Sequence, residues 1–87
     1  RLSIPPLNEE RRHELVKLVR ARAEEARVAV RNVRRDVHSD LREFEQEKVI
    51  SKDDLRRGEE QLQKVTDGYI DQISKTSERK ESEVLEI

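Results

Sequence analysis

The sequence predicts an all-α fold of two long antiparallel helices. Three features predict it. Neither Gly nor Pro occurs between Asn8 and Arg57, and apolar residues recur at helical spacing on both sides of a single break. The break itself, Lys48-Val-Ile-Ser51, is so short that the helices it joins must pack side by side in opposite directions.

Residues 1–7, Arg1-Leu-Ser-Ile-Pro-Pro-Leu7, are expected to be extended. Pro5 and Pro6 fix φ and bias the residues before them toward β geometry. They read as a hinge segment arriving from a part of the polypeptide outside this sequence. The opening on arginine rather than methionine agrees with a fragment.

Asn8 is a suitable N-cap, because its side-chain oxygen can accept a backbone N–H, and Glu9 and Glu10 then favour the positive helix end. Leu15, Val19, Ala26, Val30, Val33, Val37, Leu41 and Phe44 follow along one face. A first helix over about residues 8–48 would be on the order of 60 Å long at 1.5 Å per residue, too long to stand without a partner. Ser51 and Asp54 then form a capping-box pattern with Asp in place of Glu or Gln, and Ile50 and Leu55 occupy staple positions. The second helix, about residues 52–85, carries Leu55, Leu62, Val65, Tyr69, Ile73, Thr76, Val84 and Ile87 on one face. Gly58 and Gly68 interrupt it, each costing about 1 kcal/mol relative to Ala, and mark points where a neighbouring helix could come close. The polar stretch Ser74–Ser82 is expected to fray. Residues 8–87 thus read as one helical domain. Two facing stripes leave a flank uncovered, so a third element is expected to complete a bundle.

The composition agrees with elongated helices. Charged residues make up 45% of the chain, yet Leu, Ile, Val and Phe number 23 of 87, above the roughly 20% below which disorder is the default. The absence of cysteine excludes disulfides, thiolate catalysis and zinc sites with cysteine ligands. No apolar run approaches the roughly 18 residues of a membrane span.

The net charge of −1 conceals an uneven distribution. Residues 20–36 hold Arg20, Arg22, Arg27, Arg31, Arg34 and Arg35 against Glu24, Glu25 and Asp36. At 100° per residue, Arg20, Arg27, Arg31 and Arg34 fall within about 60° of one another and about 120° from the middle of the apolar face. Such a stripe is expected to be exposed. Guanidinium groups grip phosphate as a bidentate fork and stack on bases, which suits structured RNA. The competing reading is a solvated helix laced with i,i+3 and i,i+4 pairs such as Glu24 with Arg27, each worth about 0.2–0.5 kcal/mol. Against it stands the interval from Ala26 to Arg35, which contains no carboxylate.

Other constellations carry less. His13 and His38 lack metal-ligand spacing and read as surface residues. Asp53 and Asp54 are explained by capping. There is no phosphate-cradling loop and no nucleophile–base arrangement, so the sequence offers no catalytic site, no cofactor and no small-molecule substrate.

The run Ala26-Arg-Val-Ala-Val-Arg-Asn-Val-Arg-Arg-Asp36 resembles the signature helix of the ribosome recycling factor family. Ile4-Pro-Pro-Leu-Asn-Glu-Glu-Arg-Arg12 is similar to that family's return from its second domain, and Ile50-Ser-Lys-Asp-Asp-Leu-Arg-Arg57 with Gln63-Lys-Val-Thr-Asp67 to the start of its last helix. The resemblance implies a three-helix bundle whose first helix, like the β-rich second domain, is missing from this chain. It implies a protein that is not an enzyme: it binds large-subunit ribosomal RNA and, with elongation factor G and GTP, disassembles the post-termination ribosome into subunits. The cytoplasm or an organellar matrix would be its compartment. The family's key arginines correspond to Arg31 and Arg34, with Arg12, Arg20, Arg27 and Arg35 as supporting contacts. A structural hairpin that binds partner helices through its apolar face is the alternative.

Overall fold

A computed structural model describes residues 8–86. The expected hinge segment, residues 1–7, and Ile87 lie outside them. Two helices make up the fold, α1 (Glu9–Gln46) and α2 (Lys52–Glu86), packed antiparallel into a rod of 71 × 15 × 15 Å. Among the described residues there is no strand, and no helix is long and apolar enough to cross a membrane.

Each helix begins as its sequence dictates. Asn8 has extended geometry, and its side-chain oxygen accepts the Arg11 N–H at 2.7 Å. At α2 the capping box closes in both directions: Asp54 N–H donates to Ser51 Oγ at 3.0 Å, and Ser51 N–H donates to Asp54 Oδ2 at 3.2 Å. The shorter Asp side chain therefore still reaches back.

The turn between the helices is a Schellman motif. Lys48 N–H donates to the Glu45 carbonyl at 3.0 Å and Val49 N–H to the Phe44 carbonyl at 2.9 Å. The motif requires a left-handed residue, and Lys48 takes that place with φ of 64°. Glycine would sit there without the Cβ penalty.

The seam between α1 and α2 is thin. Only Val16 and Ala23 of α1 and Thr66 and Ser77 of α2 are buried; Val19, Val30, Leu41, Leu62, Ile70 and Ile73 are half-buried beside them. Thr66 satisfies its buried hydroxyl by donating to the Leu62 carbonyl at 2.7 Å. Gly58 is a point of close approach, since a Cβ there would meet Leu41 Cδ1 at 3.2 Å; at Gly68 a Cβ would meet nothing. The stretch Ser74–Ser82 is continuous helix rather than frayed. Buried Ser77 and the α1 partners of Ser74 and Glu81 hold it in place.

The seam does not coincide with the middle of the apolar stripes. Val33 is 61% exposed and Tyr69 57%, and Leu18, Phe44 and Val65 are exposed too. The contact has rotated away from them, because the stripes are wider than one helix can cover. The left-over apolar residues form a continuous flank with two grooves. Leu18, Val19, Ala26, Tyr69 and Ile73 line one; Val30, Val33, Leu62, Val65 and Tyr69 line the other. Arg22 lies on this flank, its stem along the groove and its head pairing with Glu25 at 3.3 Å.

Candidate nucleic-acid interface

The basic residues of α1 emerge on the other side of the seam. Taking the Val16–Ala23–Val30 line as the seam, Leu18, Ala29 and Val33 lie about 80–140° to one side and Arg20, Arg31 and Arg35 about 60–120° to the other. Ala23 and Ser77 border the grooves on both sides, which makes them the floor between the two flanks. One flank is apolar and the other cationic.

The structure divides the arginines by what they touch. Arg20 crosses to α2, where its Nε and Nη2 both donate to Glu81 Oε1 at 3.1 and 3.0 Å. Arg27 also crosses: Nη2 donates to Ser74 Oγ at 3.1 Å, while Nη1 pairs with Glu24 at 3.2 Å. Its side chain is only 23% exposed, so this part of the stripe is less open than the helical wheel implied. Arg31 stays exposed and pairs loosely with Glu24 at 3.8 Å. The carboxylate-free interval is thus partly neutralised from outside it by one acid of its own helix, Glu24, which pairs with both Arg27 and Arg31.

Arg34 and Arg35 make no ion pair among the described residues. Arg34 is half-buried over the seam, and its stem borders the groove of Val33, Leu62 and Val65. Arg35 is exposed on the outer face. Arg12 is half-buried near the start of α1, and its buried Nε has no hydrogen-bond partner among the described residues. The six expected contact residues are therefore not equivalent. Arg20 and Arg27 clamp the hairpin, Arg31 and Arg35 face outward, Arg34 straddles the seam, and Arg12 stands apart.

Two features escaped sequence reasoning. His38 is not a free surface residue: its Nε2–H donates to Glu59 Oε2 across the seam at 2.5 Å. Arg42 continues the outward row, exposed and without an ion pair among the described residues. Its position seven residues after Arg35 signals the shared face.

The arrangement suits contact with a polyanion along one edge of a rigid rod. Unpaired guanidiniums are strong, directional donors for phosphate oxygens. The helix holds them at fixed spacing; Arg35 and Arg42 point away from the apolar flank, while Arg34 borders it.

The comparisons with known proteins agree on one family. Its profile, described as Ribosome recycling factor, matches residues 1–85. The chain is 53% identical over all 87 residues to the ribosome-recycling factor of Halalkalibacterium halodurans, covering 47% of that protein. The corresponding proteins of Carboxydothermus hydrogenoformans and Roseiflexus castenholzii are 51% and 54% identical over the same span, again with 47% of each covered. The chain thus spans about half the length of the curated relatives it matches. With the profile extending across nearly the whole sequence and identity near half throughout, the chain belongs to the ribosome recycling factor family.

Proposed function

We propose that this chain is the helical, RNA-gripping part of a ribosome recycling factor, binding large-subunit ribosomal RNA through the cationic flank of α1. In this reading the intact protein acts with elongation factor G and GTP to separate the subunits of the post-termination ribosome. GTP hydrolysis belongs to the elongation factor, so the protein itself works as a non-catalytic factor in the cytoplasm or an organellar matrix. The observation that carries the reading is the exposed, outward row of Arg31 and Arg35 on a member of this family, with Arg34 beside them over the seam. Arg12, Arg20 and Arg27 serve as secondary contacts, the latter two limited by their cross-seam bonds.

A straight rod fits such a role, because force received at one end reaches the other with little bending. The apolar flank supports a companion proposal. The chain spans 47% of its relatives, and the missing half has ample length for another helix. We place that first helix of a three-helix bundle in the grooves beside Tyr69, where it covers the exposed Leu18, Val33 and Val65. This absorbs the alternative of a hairpin that binds helices: the two flanks do different work.

Co-sedimentation with large ribosomal subunits tests the RNA reading. Arg31→Ala and Arg34→Ala should each weaken binding, and neutralising about four phosphates gives a log–log salt slope of about −3. Unchanged binding by both variants, or a slope near zero, would discard it.

A further inference from the structure

The cationic flank does not end at Arg35. Beyond it α1 forms a groove of about 390 Å³ lined by Arg35, His38, Ser39, Arg42, Glu43 and Gln46. Arg35 and Arg42 are two turns apart on one face, about 10 Å along the axis. Neither makes an ion pair among the described residues, although α2 passes alongside with Glu59 and Glu60. The Glu59 carboxylate accepts from His38 Nε2–H and is held against the seam. His38 thus engages an acid of α2 beside the groove, and neither guanidinium has an acid partner among the described residues. Glu43 alone contributes negative charge to the groove. The Ser39 hydroxyl and Gln46 amide add hydrogen-bonding groups.

We propose that the Arg35–Arg42 groove is a second phosphate subsite for RNA, extending the interface from Arg31 toward the hairpin turn. This rests on the RNA reading above. Two guanidiniums set two turns apart can each fork onto a backbone phosphate, with Ser39 and Gln46 completing contacts to phosphate or sugar oxygens. Apart from the His38 ring, which Glu59 engages, no aromatic or apolar side chain lines the groove, so it lacks the pocket in which a protein partner's anchor residues would bury. Spaced guanidiniums without such a pocket favour RNA backbone over an acidic protein segment.

The test compares the intact protein with Arg42→Gln, Arg31→Gln and Arg79→Gln in binding to large ribosomal subunits and to protein-free large-subunit RNA across a salt series. Arg79 is an exposed arginine of α2 without an ion pair among the described residues and serves as the charge control. Circular dichroism checks that each variant folds. Arg42→Gln should weaken both complexes about tenfold, as loss of a charge-assisted contact does, and should reduce the salt slope by about 0.7. Arg79→Gln should stay within about twofold. Equal losses for Arg42→Gln and Arg79→Gln would reduce the effect to overall charge and overturn the subsite. So would a loss on subunits but not on protein-free RNA, which would indicate a protein partner. Loss with Arg31→Gln but not Arg42→Gln overturns this inference and leaves the proposed function standing. No loss with either removes both.

Discussion

Arg20 donates from both Nε and Nη2 to one oxygen of Glu81, a residue 61 positions away in sequence, at 3.1 and 3.0 Å. The pair ties the start of α1 to the end of α2, far from the turn that joins them. Its arginine is 68% exposed and its carboxylate 19%, so water screens only one side. Glu81→Gln should cost about 0.5–1 kcal/mol in urea denaturation. The same change frees Arg20 and removes a negative charge from the cationic flank, so affinity for ribosomal RNA should rise. A variant that is less stable yet binds RNA more tightly is the outcome that separates clamp from contact.

The turn gives a second prediction. Lys48 adopts φ of 64° where the motif favours glycine. Lys48→Gly should therefore stabilise the hairpin by about 0.5–1 kcal/mol, read as a higher urea midpoint with unchanged m. A lower midpoint would show that the lysine makes compensating contacts.

The two glycines of α2 should respond differently to alanine. At Gly68 the added Cβ meets nothing, so Gly68→Ala should gain about 1 kcal/mol from helix propensity alone. At Gly58 the Cβ would lie 3.2 Å from Leu41 Cδ1, and the gain should shrink toward zero as that side chain gives way. Equal gains at both sites would mean the seam near Leu41 is looser than its geometry.

The capping box predicts a pH dependence. The Ser51 backbone N–H, then the Ser51 hydroxyl, and further the Arg57 guanidinium hold the Asp54 carboxyl below its ordinary value of 3.8. A carboxylate depressed in the folded state contributes stability that is fully present above its unfolded pKa and disappears as pH falls through the folded one. Melting temperature should therefore decline as pH drops below about 4, the unfolded-state value. Asp54→Asn should flatten that part of the curve; an identical decline would assign it to other carboxylates.

The apolar flank supplies a fifth. Tyr69 is 57% exposed in the hairpin. Tyr69→Ser should change the stability of this two-helix chain by less than about 0.5 kcal/mol, as for a surface site. In the intact protein the same change should cost about 2 kcal/mol if a first helix buries the ring. Equal small effects in both would leave the grooves without that occupant.

Much of the fold was legible because its signals are local. Asn8, the Ser51–Asp54 pair and the helical spacing of Leu15 through Phe44 each act within a few residues of themselves. The antiparallel pairing followed from the short break. The rotation of the seam was not legible. A stripe wider than one partner covers does not say which edge is used first, and Ser77 and Thr66 entered the interface where Thr76 and Val65 were expected. The arginines were legible as a group but not as individuals. Whether Arg20 is free depends on Glu81, and how open Arg27 is depends on Ser74. Both are cross-helix facts that no spacing rule within α1 contains.

The placement of Ala23 and Ser77 between the apolar and cationic flanks has a consequence for how the protein can vary. Residues on opposite sides meet only at that floor, so their substitutions should combine nearly additively, within about 0.5 kcal/mol. Val33→Ala and Arg35→Gln, for example, should each have the same effect with or without the other. A lineage could then retune its grip on RNA without reopening the question of how its helices pack, and drift in the packing would leave the grip untouched.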